Sequence, residues 1–162
     1  MPSLEETLVH TFLVLDYTSP TFFKKSFSIT KALVHFFGDT EYEKKLLEIE
    51  HNCAGLLKTK TGRKFSISYT VLEQAYLSNF GKPPDTPIEF EITKPDGMTE
   101  IYELSLMDIT NYLYLIHDKL LEIILNISKK HGISIGDIAG TALTQTSSSF
   151  NSANSQNMLP EL

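Results

Sequence analysis

The most reactive side chains in the sequence, a histidine and a cysteine, lie two positions apart. They are His51 and Cys53, in the segment EHNCAG. An imidazole that accepts the proton of a thiol creates an activated nucleophile. However, residues at i and i+2 of a helix face different directions, and the sequence shows neither an orienting acid nor an oxyanion hole. We therefore interpret Cys53 as a packing residue.

The five histidines do not form a metal-binding motif. No two of them have the H-x-x-x-H spacing that places both ligands on one face of a helix, and one cysteine cannot form a thiol cluster. His131 has a structural explanation at a helix carboxyl end, and His117 with Asp118 is interpreted as a solvated surface pair. We expect no metal, no cofactor and no catalytic residue. The alternative is a small enzyme that uses His51, Cys53 or His117.

A basic segment, KTKTGRK at residues 58–64, concentrates positive charge. Its glycine favours a tight turn between two short strands, and we interpret it as a solvated turn. The alternative is contact with a nucleic-acid backbone or an acidic partner through Lys58, Lys60, Arg63 and Lys64. The chain has 14 Lys+Arg against 20 Asp+Glu, and Arg63 is its single arginine. The net charge of −6 disfavours nucleic-acid binding by bulk electrostatics.

One long helix, predicted over residues 106–131, organises the elements that must position these side chains. Ser105 and Asp108 provide a capping box at its start, and Gly132 provides a left-handed cap after its end. Apolar residues recur on one face with the helical period. They are Ile109, Tyr112, Leu113, Ile116, Leu120, Ile123, Ile124 and Ile127. This face must be packed by the rest of the chain, because an isolated helix is only marginally stable in water.

Tyr114, Leu121 and Leu125 form a second, narrower stripe on the same helix. One interpretation is that another part of the chain covers this stripe; the other is that it faces a partner or a second copy. The Ser/Asn-rich residues 144–162 should not form a core of their own. We expect this tail to dock in cis or on a neighbouring subunit, with apolar anchors at Phe150, Met158 and Leu159.

Local signals predict the remaining elements. A capping box at Ser3 and Glu6 favours a helix that ends near Asp16. Residues 27–30 are interpreted as the end of a strand before a helix over 31–37, and a charged helix is predicted over 41–53. Ser68 is expected to cap a further helix that stops by Gly81. The clearest hairpin joins residues 88–93 to residues 99–106 through a Lys-Pro-Asp-Gly turn.

Together these elements predict an α+β fold. A short antiparallel sheet with hairpins is packed by three to five helices around one long central helix. We expect residues 1–143 to form a single domain, followed by the tail at 144–162. The length of 162 residues is sufficient for one core without disulfides.

The absence of a convergent catalytic set, the surplus apolar stripe and the tail favour a non-enzymatic assembly or interaction subunit. We expect a homo-oligomer or a component of a larger complex. The alternative is an accessory subunit of a nucleic-acid-processing or ribonucleoprotein complex that acts through residues 58–64. The single cysteine indicates a reducing, cytoplasmic environment, and no segment has the run of about 18 unbroken apolar residues that a membrane-spanning helix needs.

Overall fold

A computed structural model describes residues 3–52 and 67–135, which form five helices and a two-stranded sheet. The elements in chain order are α1 (Leu4–Leu13), α2 (Phe22–Phe37), α3 (Thr40–Asn52), α4 (Tyr69–Ser78), β1 (Pro87–Thr93), β2 (Thr99–Ser105) and α5 (Leu106–Lys130). The long helix α5 packs against α2, α4 and β2. The predicted α+β class with a central long helix is therefore confirmed.

The caps at both ends of α5 are those that the sequence predicts. The Ser105 hydroxyl accepts a hydrogen bond from the backbone N–H of Asp108, and the Asp108 carboxylate accepts one from the backbone N–H of Ser105. This reciprocal box satisfies two donors that a helix start otherwise leaves unpaired. At the other end, Gly132 has φ 69°, the left-handed conformation that a glycine adopts without strain.

The core side of α5 is also as predicted. All eight residues of the predicted apolar face are buried, and Ile109, Leu113, Ile124 and Ile127 have no exposed surface. Side chains from α1, α2 and α4 complete the same core; they include Val9, Phe23, Leu33 and Leu72. The helical period of apolar residues therefore predicts correctly which face of α5 is buried.

The predicted hairpin is confirmed as β1 and β2, which pair antiparallel with Phe90 opposite Tyr102. Phe90 is buried, whereas Glu89 and Glu91 on the other face are exposed. Gly97 has φ 84° in the turn, and the Asp96 carboxylate accepts a hydrogen bond from the N–H of Met98. An alternating strand pattern with one wet face is typical of antiparallel pairing.

The prediction of a strand at residues 27–30 is wrong. These residues lie in the middle of α2, which begins at Phe22 and runs without interruption to Phe37. The buried Thr30 hydroxyl donates to the Ser26 carbonyl one turn earlier, as a helical threonine can. Alternation over four residues was too short a signal, because tertiary packing of the longer helix overrides it.

The other helices differ from prediction only at their ends. Ser3 caps α1 by accepting from the N–H of Glu6, and α1 ends at Leu13 rather than near Asp16. Ser68 caps α4 by accepting from the N–H of Val71. No helix within the described residues combines the length and apolar composition that a bilayer crossing needs.

Candidate protein-interaction groove

Helices α2 and α3 are joined by Gly38 and Asp39 and form a helical hairpin with an open groove along one face. From α2 the groove is lined by Ser28, Lys31, Ala32, Val34 and His35, and from α3 by Glu43, Leu46, Leu47 and Glu50. Residues spaced i, i+3, i+4 and i+7 on each helix supply most of this lining, so the α2–α3 groove follows both helices for about two turns.

The floor of the α2–α3 groove is apolar and its rims carry charge. The groove has a volume of about 590 Å³, and Leu47 within it is 53% exposed. Lys31 Nζ lies 3.1 Å from Glu50 Oε1, so this ion pair crosses from α2 to α3. Burying the floor would gain roughly 25 cal/mol for each Å² of apolar surface removed from water. The groove therefore has an energetic reason to bind an apolar surface.

Two contacts fix the tip of this helical hairpin on the carboxyl end of α5. Lys130 Nζ lies 2.5 Å from Asp39 Oδ2, and the Phe37 and His131 rings stack with centroids 3.9 Å apart. The hydrogen bond from Lys130 is the main cause that lowers the pKa of the Asp39 carboxyl. The α2–α3 groove is thus held in a defined orientation to the core.

The interpretation of His117 as a solvated residue is wrong. The side chain is 2% exposed, and its Nδ1 lies 2.6 Å from the Ser26 hydroxyl. It stacks on Phe12 at a centroid distance of 5.2 Å and lies 4.5 Å from the Phe22 ring. Burial lowers the pKa of His117 to about 3, so the ring is neutral at physiological pH.

The Ser26–His117 pair has the atoms of a nucleophile and a base, but its position excludes substrate. The Ser26 side chain is fully buried, and no described carboxylate accepts from the His117 ring. Catalysis needs a reacting atom about 3 Å from the nucleophile, and a fully buried Ser26 leaves no open space for a substrate there. We interpret the pair as a buried hydrogen bond that fixes α2 against α5.

The second stripe on α5 is covered by its own chain to a large extent. Leu121 is 4% exposed, and Leu125 is partly buried against the core. Tyr114 is partly buried and packs edge-to-face on Phe23 at 5.0 Å. For Leu121 the structure fits the first interpretation, that another part of the chain covers the stripe, and not a partner-facing position. On the α2–α3 groove, by contrast, the apolar side chain of Leu47 is exposed.

Several predicted site residues lie outside the described residues. They are Cys53, Lys58, Lys60, Arg63, Lys64, Phe150, Met158 and Leu159. Nucleic-acid contact through residues 58–64 therefore stays a prediction. His51 lies in the last turn of α3 with an exposed side chain. Among residues 3–52 and 67–135, no group of three or more His, Cys, Asp or Glu residues could hold a metal ion.

Glu73 on α4 is a buried carboxylate that the sequence did not mark. It is 7% exposed, and its Oε1 has no hydrogen-bond partner within the described part of the chain. Burial raises the pKa of Glu73, and the positive charge of Lys24 partly opposes this rise. The folded state therefore disfavours the ionised form of Glu73 relative to the unfolded chain.

We expect the Glu73→Gln variant to be more stable than the wild type at pH 7. The free energy of unfolding should rise by about 1 kcal/mol, because a charge no longer has to be buried. Urea denaturation followed by circular dichroism measures the change, and the gain should shrink toward pH 4 as the wild-type carboxyl becomes neutral. Glu122→Gln, an exposed control on α5, should leave stability nearly unchanged. An equal effect of both substitutions would contradict the explanation.

Comparison of the chain with protein-family models, with curated proteins and with solved structures finds no match. The role of the α2–α3 groove is therefore inferred from the chemistry of its own residues. A sequence signal for it existed: from Thr21 to Phe37 the chain has neither Gly nor Pro, and Ser28, Lys31, Ala32 and His35 have helical spacing.

Proposed function

We propose that this chain is a non-enzymatic assembly subunit whose α2–α3 groove binds an apolar helical surface of a protein partner. The observation that carries the proposal is an apolar groove that runs along two helices and leaves Leu47 half exposed. Grooves of this form bind amphipathic helices through apolar anchors at i, i+3, i+4 and i+7. The charged rim residues would orient the bound helix.

The chemistry of the described residues supports a binding role over an enzymatic one. The Ser26–His117 pair is enclosed, and Oε1 of the buried Glu73 has no hydrogen-bond partner among the described residues. The side chains that line the groove are mainly apolar or paired, as in a binding surface. We include a cytoplasmic location in the proposal, because a single cysteine fits a reducing compartment.

Photo-crosslinking in the cells that make the protein tests this function. A photoreactive amino acid in place of Leu47 should give covalent protein adducts, since this side chain would contact the partner. The same amino acid in place of Met107, an exposed apolar residue of α5 outside the groove, is the matched control. Adducts are expected from Leu47 only. Their absence, or equal yields from both positions, would refute the proposal.

A further inference from the structure

The charges on the two rims of the α2–α3 groove have opposite signs. The cationic Lys31 lines the α2 side, whereas the anionic Glu43 and Glu50 line the α3 side. A partner that fits both rims needs acids along the edge that faces α2 and bases along the edge that faces α3. When a second copy is rotated to face the first, its acidic α3 side lies opposite α2 and its basic α2 side lies opposite α3. The groove surface is therefore complementary to itself.

A two-fold axis that runs along the groove determines which residues of the two copies face each other. Such an axis places α2 of one copy over α3 of the other. The rotation does not change the height of a residue, meaning its position along the groove axis. Lys31 and Glu50 lie at the same height, because their side chains are 3.1 Å apart within one copy. Lys31 therefore faces the partner subunit's Glu50, and the contact occurs twice.

The apolar residues of the hairpin suit the same arrangement. Ala32 and Leu47 are exposed on the same hairpin as the Lys31–Glu50 pair, and Phe36, exposed one turn beyond Ala32, extends the apolar surface toward the hairpin tip. Facing the hairpin of a second copy, these side chains form the central layer of a four-helix arrangement. Apolar side chains together with paired charges are common in stable interfaces.

We infer that the occupant of the α2–α3 groove is a second copy of this chain, which forms a symmetric dimer with α2 of each copy on α3 of the other. The inference rests on the proposed function and names its partner. If the crosslinked partner at Leu47 is a different protein, the proposed function stands and the dimer is refuted.

Charge exchange between copies tests the dimer. Sedimentation velocity on the purified full chain should show a monomer–dimer equilibrium at micromolar concentrations. The variants K31E and E50K should each raise the dimer Kd at least about tenfold, because each makes both inter-copy pairs repulsive. K45E removes the Lys45–Glu41 pair, at 3.6 Å on α3 outside the groove lining, with the same change of charge. This control should leave the dimer Kd within about twofold of wild type.

The decisive sample is an equimolar mixture of the K31E and E50K chains. Within each chain the exchanged pair is repulsive, but between the two chains both pairs are attractive again. The mixture should recover dimers with a Kd within about threefold of the wild type. Circular dichroism spectra confirm that both variants are folded. A monomeric wild type at about 100 μM, or a mixture that stays as dissociated as its components, would overturn the inference.

Discussion

Lowering the pH from 6.5 to 5 is expected to reduce the free energy of unfolding by roughly 2 kcal/mol through His117 alone. The buried ring has a pKa of about 3, whereas the same ring in the unfolded chain has the ordinary value of 6.5. Between these values the unfolded state binds a proton that the folded state does not. Stability therefore falls as the pH decreases through this interval.

The double variant S26A/H117L isolates this contribution. Both partners of the 2.6 Å hydrogen bond become apolar, so no buried donor or acceptor is left unpaired, and stability at pH 7 should change little. Urea denaturation at pH 7 and pH 5 gives the pH-dependent loss for each protein. The loss in the double variant should be smaller by roughly 2 kcal/mol, since the other histidines contribute equally to both proteins. Equal losses would show that His117 is protonated in the folded state.

Truncation of the core side of α5 is expected to have the largest effect on stability. Ile124 has no exposed surface and lies in the core formed by α5 and its neighbours. Ile124→Ala should lower the free energy of unfolding by about 2–5 kcal/mol, through lost burial and the cavity left behind.

Ile101→Ala is the matched control, because Ile101 is the same residue type and is 67% exposed on β2. Its effect should stay within about 0.5 kcal/mol. Chemical denaturation of both variants against the wild type measures the difference. If Ile101→Ala were the more damaging substitution, α5 would not be the centre of the core.

The core and the hairpin of this fold are predictable from sequence because each is determined by residues near one another in the chain. The period of α5 persists over 25 residues, and Ser105, Asp108 and Gly132 act within one turn of its ends. In the β1–β2 hairpin, the turn residues and the alternation of Phe90 with glutamates give the same register. Such elements can be predicted from sequence because their local propensities agree with the overall packing.

The α2–α3 groove and the Ser26–His117 pair are not predictable in this way. Ser26 and His117 are 91 residues apart, and nothing in the sequence near His117 marks a buried polar partner. The groove depends on how two helices cross. In addition, the four-residue alternation at residues 27–30 predicts a strand where the α2 side of the groove lies. Periodicity tells which face of a helix is apolar, but it does not tell which apolar faces other elements cover.

Ser105 belongs to β2 and also caps α5, so no connecting loop separates strand from helix. One residue added at this junction would rotate the whole of α5 by about 100° relative to the sheet, and its apolar face would point away from its neighbours. Chain length is therefore constrained at Ser105. The Pro95–Gly97 turn, whose residues are exposed, is where an inserted epitope or fluorophore tag would leave the packing intact.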